Sequence, residues 1–271
     1  MKTPYILDPT KSSSVRAPDE KFEQHPGPFR IGLRDLYAIF PGMEDSGFGM
    51  SKYPDAVYGE TNTTETYLIG SVTRWLEPRV VVEIGTFRGR STRIMAEESP
   101  EYARVLTVDL PDEERQTRIP PNTSDLPFLR SGVVGEAYSD SRARTKITQV
   151  RMDATSSEFA QELERFLSGD TIDLALIDPA HDYDTTRDSF DAVLWRMSPG
   201  GVVLFDDYDK IRSHVGPTLL ALERAVKDGY LFYHFSPDQG ELSFPISDRP
   251  SGMIHLNLPG TRNGKWREAL G

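Results

Sequence analysis

Val80-Val-Val-Glu83-Ile84-Gly85-Thr86-Phe-Arg-Gly89-Arg-Ser91-Thr92 is the stretch whose reading decides the fold. Three consecutive valines and an isoleucine describe a strand covered on both faces. The glycines at 85 and 89 then break the chain sharply, and an amphipathic helix follows over Ser91–Glu98. Strand, tight turn and helix in that order make the first half of a βαβ unit.

Downstream the same unit repeats. Further strand candidates are Val105–Asp109, Ile147–Arg151, Leu174–Asp178 and Val202–Phe205. Helices are expected at Thr155–Leu167, where Phe159, Leu163, Phe166 and Leu167 share a face and Gly169 stops the run, and at Thr185–Met197. Alternation of this kind predicts right-handed crossovers and a parallel sheet with helices on both faces. A helix at Pro217–Lys227 precedes two last strands, Tyr230–Phe235 and Met253–Leu258, expected to close the sheet antiparallel. The fold class is therefore α/β, a doubly wound, Rossmann-like, mostly parallel sheet of seven strands.

Upstream, residues 1–60 are rich in Pro, Gly, Ser and charge and read as an irregular extension or lid. Asn62 with Glu65 has capping-box spacing, and Tyr67, Leu68, Val72, Trp75 and Leu76 recur at helical intervals up to Glu77-Pro78. Residues 61–271 are read as one domain. The stretch 110–146 exceeds an ordinary connection and, with Pro120-Pro121, reads as an inserted substrate-side loop.

Composition limits the chemistry. There is no cysteine, which excludes disulfides, thiolate metal sites and cysteine nucleophiles. Lys and Arg number 31 against 42 Asp and Glu, a net charge of −11 that opposes a duplex nucleic-acid partner. No apolar run reaches the roughly 18 residues that span a bilayer, and the first residues do not read as a signal peptide. The expectation is a cytoplasmic protein with a small-molecule partner, no nucleic acid and no membrane, assembled as a homodimer or larger oligomer.

The glycine turn lets a ligand reach backbone N–H groups at the positive end of a helix, although tight-turn geometry alone also calls for such glycines. Asp109 ends the next strand, where a carboxylate either accepts from both ribose hydroxyls or caps a helix. Ser91 and Thr92 either cap their helix or hold a carboxylate of the ligand. At the ends of the fourth and fifth strands stand Asp178, Asp206 and Asp207. Three carboxylates brought together repel unless a cation compensates, and Mg²⁺ on oxygen ligands is the simplest answer. Such an ion orients a hydroxyl and lowers its pKa. Asp207 is either a ligand or a helix cap. His181 is suited to general-base work near neutral pH, and it reads equally as a metal ligand or a loop histidine. The Arg142, Arg144 and Lys146 cluster either binds an anionic acceptor or lies on a solvated face.

A strand, E-x-G-x-x-x-G, a helix and a second strand ending in Asp together resemble the cofactor half of a class I S-adenosylmethionine-dependent methyltransferase. The resemblance extends over about residues 62–235, through Ile172–Asp178 and the Pro199-Gly200-Gly201 turn leading to Asp206. It implies S-adenosylmethionine as cofactor, bound by Glu83, Gly85, Thr86, Gly89, Ser91, Asp109 and Asp178, with Asp153 and Ala154 beside the adenine. In texture the chain is similar to macrocin O-methyltransferases, whose strands end in I-D-x-x-H-x-Y and F-D-D-Y. Here these are Ile177-Asp178-Pro-Ala-His181-Asp-Tyr183 and Phe205-Asp206-Asp207-Tyr208. The arrangement also resembles catechol O-methyltransferase, with His181 in place of its lysine base and Asp207 in place of its asparagine. The implied activity is metal-assisted methyl transfer to a hydroxyl of a natural product, sugar or aromatic molecule, with Asp178 and His181 catalytic and Asp178, Asp206 and Asp207 on the metal. Alternatives are an amine-directed methyltransferase, which shares only the Asp178-Pro179 dipeptide, a cephalosporin-hydroxylase-like oxygenase that needs a second histidine such as His214, and a non-catalytic cofactor-binding module.

Overall fold

The computed structural model describes residues 29–53, 60–118, 133–179, 183–208, 231–235 and 252–257. In chain order the elements are β1 (Phe29–Ile31), α1 (Leu33–Ile39), α2 (Thr63–Leu76), β2 (Val80–Ile84), α3 (Arg90–Glu98), β3 (Arg104–Asp109) and α4 (Asp112–Arg118). There follow β4 (Ile147–Arg151), α5 (Ser157–Leu167), β5 (Ile172–Ile177), α6 (Tyr183–Leu194), β6 (Met197–Tyr208), β7 (Leu231–Phe235) and β8 (Gly252–Asn257). The Pro217–Lys227 helix lies outside the described residues.

Strand side chains alternate between two faces, and each face is buried by helices. Val81, Val105, Leu174, Leu176, Val202 and Leu204 pack with Leu68, Ile69 and Val72 of α2 and Ile94 and Met95 of α3. Val80, Val82, Ile84, Leu106, Ala175 and Val203 pack on the opposite side with Phe159 and Leu163 of α5 and Phe190 and Val193 of α6. The doubly wound reading is thus borne out.

The strand order is β1-β7-β8-β6-β5-β2-β3-β4. Two details differ from expectation. The sheet has eight strands, because Phe29–Ile31 pairs in parallel with Tyr233–Phe235 at the outer edge. Of the last two strands only β8 runs against the rest. It lies antiparallel to both β6 and β7, so β7 regains the common direction. A three-residue strand such as β1 has too few positions to show an alternation; its partner specifies it.

Helix α2 starts as its sequence predicts. Asn62 Oδ1 accepts from the N–H groups of Thr64 (2.9 Å) and Glu65 (3.1 Å), while Glu65 accepts from the Asn62 N–H at 2.8 Å. A cap of this kind contributes about 1 kcal/mol. The sheet register slips between Ile172 and Leu174, where Pro199-Gly200-Gly201 bulges out of β6. A Cβ on Gly201 would lie 3.1 Å from the Asp173 carbonyl oxygen and 2.7 Å from Met197 Cε, so a side chain there would crowd the bulge.

Part of the stretch read as irregular packs into the core. Leu36, Phe40, Met43 and Tyr53 are buried, and burying each such side chain contributes about 1.5–3 kcal/mol. Glu98, at the end of α3, ties this segment down: it accepts from Tyr53 Oη (2.7 Å), Lys52 Nζ (3.0 Å) and Arg74 Nη1 (3.0 Å).

Candidate functional site at the carboxyl edge of the sheet

Between β2 and α3 the backbone makes three left-handed excursions, at Gly85 (φ 101°), Phe87 (φ 47°) and Gly89 (φ 86°). Gly85 is forced to be glycine twice over. Its φ disfavours any side chain, and a Cβ there would stand 1.8 Å from the carbonyl oxygen of Asp178. The Gly85 N–H donates to Val108 O (2.9 Å) and the Asp178 N–H to Ile84 O (2.8 Å), which locks the turn onto the neighbouring strands. Gly89 is the N-cap of α3 and brings no capping side chain, unlike Asn62 at α2 and Ser156 at α5. The first-turn N–H groups of α3 are consequently suited to an anion.

Glu83 is fully buried on the face beneath α3. Both carboxylate oxygens are met by hydroxyls: Ser91 Oγ donates at 2.5 Å, Thr107 Oγ1 at 2.6 Å, and Thr92 Oγ1 completes the set. Thr86 Oγ1 stands 2.6 Å from Thr107 Oγ1, and because Thr107 donates to Glu83, Thr86 must donate to Thr107. Burial pushes the Glu83 carboxyl up to about 7, more than the three hydroxyl donors pull it down, with Asp109 adding to the rise. Ser91 and Thr92 therefore give their hydroxyl hydrogens to Glu83, and the N-cap position of their helix belongs to Gly89.

Asp109 lies across the turn from Glu83. Its Oδ2 accepts from the Phe87 N–H at 2.7 Å, and its Oδ1 is 3.5 Å from Nε of the buried Arg115. The carboxylate is thereby fixed at the rim of the glycine turn. The Met152 N–H donates to Asp109 O (2.9 Å), bringing the next loop alongside. In that loop Asp153 Oδ1 accepts from both the N–H (2.8 Å) and hydroxyl (2.7 Å) of Thr155, and Ala154 is buried behind it. Glu83, Gly85, Thr86, Gly89, Ser91 and Asp109 thus converge, with Asp153 and Ala154 next in line.

On the other side of β2 stand Asp178 and Asp206. Ile177 of β5 is in register with Phe205 of β6, so Asp178 and Asp206 follow an aligned pair on neighbouring strands. Strands are about 4.8 Å apart, which places the two residues side by side. Asp206 is 7% exposed. His181 and the side chain of Asp207 lie outside the described residues, and among the described residues no group of three His, Asp or Glu side chains gathers.

Several participants had weak sequence signals. Thr107 is the register partner of Glu83, a polar residue in an apolar strand, and that mismatch was its signal. Arg115 had none. The described part of the 110–146 stretch lies against the glycine turn: the Gly135 N–H donates to Phe87 O (3.0 Å) and the Ala137 N–H to Arg88 O (2.8 Å). Lys146 donates to Ala96 O (3.1 Å) and Ser99 O (3.0 Å) at the end of α3, while the Arg144 guanidinium lies 5.7 Å from the Tyr138 ring centre. Arg144 and Lys146, two of the three cations of the Arg142, Arg144 and Lys146 cluster, are thus engaged in structure.

Residues 82–208 match the family described as a methyltransferase domain. Among solved structures, the chain is similar to the O-methyltransferase TomG from Streptomyces achromogenes, involved in tomaymycin synthesis and solved with S-adenosylmethionine (16% identity, 81% of this chain and 90% of that one, TM-score 0.50). It is also similar to a candidate O-methyltransferase from Klebsiella pneumoniae (15%, 84% and 91%, TM-score 0.50) and to an O-methyltransferase from Bacillus cereus solved with S-adenosylhomocysteine (13%, 83% and 96%, TM-score 0.48). No curated protein matches the chain. The glycine turn, the carboxylate at the end of β3 and the strand positions of Asp178 and Asp206 all lie within the stretch, residues 82–208, that matches this family.

Proposed function

We propose that the protein transfers the methyl group of S-adenosylmethionine to a hydroxyl of a small molecule, assisted by a divalent cation such as Mg²⁺ at Asp178, Asp206 and Asp207. One observation carries this reading. The backbone of Asp178 packs against Gly85, so the strand end bearing the acceptor-side carboxylates touches the turn suited to the donor. Methyl transfer needs that contact, because nucleophile and methyl carbon must meet in line. The names of TomG and the Bacillus cereus enzyme, and the ligands in their structures, support the choice of donor and of oxygen as nucleophile.

The donor set suits a hard cation, since Asp178 and Asp206 offer oxygen ligands from adjacent strands and no thiolate exists in the chain. When bound, the cation supplies a positive charge that lowers the pKa of the acceptor hydroxyl. In the reaction His181 would take the proton of the acceptor O–H, and S-adenosylmethionine held at the glycine turn would supply the methyl group, exchanging its bond to sulfur for one to the acceptor oxygen. On the donor side Gly85 and Gly89 let the ligand approach the backbone, Asp109 receives ribose hydroxyls, and Asp153 with Ala154 borders the adenine. Acceptors of this kind are natural products, sugars or phenols handled in the cytoplasm. The net charge of −11 and, among the described residues, the lack of any helix long and apolar enough to cross a membrane are compatible with such a setting.

The test is calorimetric titration of S-adenosylmethionine with and without Mg²⁺, followed by transfer of labelled methyl to a panel of hydroxylated compounds with and without chelator. Binding and chelator-sensitive transfer are expected, with His181→Ala slowing turnover by about 10²–10⁴ at unchanged cofactor affinity. Absence of cofactor binding overturns the reading. Transfer insensitive to chelation removes the cation, and a parallel loss of affinity in His181→Ala removes the base.

A further inference from the structure

Tyr138 is 2% exposed, and its hydroxyl oxygen has no hydrogen-bond partner among the described residues. A buried hydroxyl left alone costs roughly 1–3 kcal/mol, so native structures normally give it a partner, whether protein, water or ligand.

The position of this hydroxyl is tightly set. The ring lies over Gly89 and Gly135, both with positive φ. A Cβ on Gly89 would come within 2.5 Å of Tyr138 Cε1, and one on Gly135 within 2.3 Å of the hydroxyl oxygen. The segment carrying Tyr138 is bound to the turn itself through Phe87 O and Arg88 O, through the Arg88–Glu136 ion pair, and through Arg93 Nη1 donating to Ala137 O at 3.0 Å. Burial first, and then the negative charge of Glu83, hold the phenol at about 12, with Asp109 adding to the rise and Arg144 and Arg151 opposing it. At neutral pH the group is a hydrogen donor.

We propose that Tyr138 is a further residue of the donor pocket, whose ring shapes the Gly85–Gly89 turn and whose hydroxyl donates a hydrogen bond to an oxygen of the bound adenosyl cofactor. The proposal rests on the cofactor named under Proposed function. A tyrosine retained only for packing has no use for the hydroxyl, and phenylalanine would fill the same space without desolvating a polar atom.

The experiment compares wild type, Tyr138→Phe and Tyr138→Leu by thermal melting and by calorimetric titration with S-adenosylmethionine and S-adenosylhomocysteine. For Tyr138→Phe the free protein should melt no lower than wild type, while both ligands bind about 2–10-fold more weakly, the loss of one neutral hydrogen bond. Tyr138→Leu should bind more weakly still and melt lower, with Phe restoring the part that belongs to the ring. Equal affinities for wild type and Tyr138→Phe overturn the proposal, and so does a lower melting point for Tyr138→Phe, which means the hydroxyl has a partner inside the protein. If wild type binds neither ligand, the proposed function fails and the proposal with it; if wild type binds and Phe changes nothing, only the proposal fails.

Discussion

Helix α3 has a buried carboxylate at each end, and the two are held by opposite means. At its front, Glu83 is surrounded by the neutral hydroxyls of Ser91, Thr92 and Thr107. At its rear, Glu98 accepts from two cations, Lys52 and Arg74, and from Tyr53. Neutral donors orient a carboxylate without cancelling its charge, whereas cations cancel it. The front arrangement leaves the charge of the ionised form uncancelled, so burial favours the proton there. The rear one is a fastening between the N-terminal segment and the core. Burial pushes Glu83 up to about 7, a sign of how little its neutral cage offsets desolvation, while the Tyr53 phenol is driven well above its ordinary range by burial and by the adjacent Glu98.

The strongest way to break this contrast is to deform the front end alone. Gly85→Ala puts a methyl group 1.8 Å from Asp178 O at a φ of 101°, so the turn must move. The expected result is a loss of cofactor affinity beyond about 100-fold, close to 3 kcal/mol, together with a lower melting temperature. Calorimetry checks it, and unchanged binding would mean that the turn does not form the donor pocket.

Next in size is the pH dependence of Glu83. Its folded pKa of about 7 lies above the ordinary 4.5, so the folded state holds the proton more firmly than the unfolded one. The associated stability is complete below about 4.5 and is lost as pH rises through about 7, an effect on the order of 3 kcal/mol. Urea titrations from pH 5 to 8 should show wild type losing stability relative to Glu83→Gln; parallel curves would refute the assignment.

The smallest effect belongs to the rear. Lys52 and Arg74 are 44% and 33% exposed in their side chains and can turn to water when Glu98 is removed. Glu98→Ala should therefore cost about 2 kcal/mol, a few degrees of melting temperature, with cofactor affinity unchanged. A coincident tenfold loss of affinity would show that the two ends are coupled.

What could be read from sequence follows the same division. Val80–Ile84 and Ile147–Arg151 coincide with β2 and β4, and the Asn62 cap starts α2, because hydrophobic runs and caps are local signals. The residues predicted for the donor pocket sit at strand ends that βαβ topology brings together. Pieces specified by distant partners were not legible: β1 exists through β7, the direction of β7 follows from β8, and Tyr138 is seated by glycines at 89 and 135. The bulge that lengthens β6 hides within Pro199-Gly200-Gly201, which reads as a turn. His181 and the Asp207 side chain lie outside the described residues.

The edge pairing of Phe29 with Tyr233 has a consequence in time. On the ribosome the first strand emerges early, yet its place in the sheet does not exist until β7 has been made. At about 5–20 residues per second that delay lasts roughly ten seconds or more, while β2 to β6 can already assemble around the glycine turn. Contacts of such sequence separation close last and open first in a simple topological picture. The β1 edge pairing is then a closing stitch, added to a sheet whose central strands are already in place.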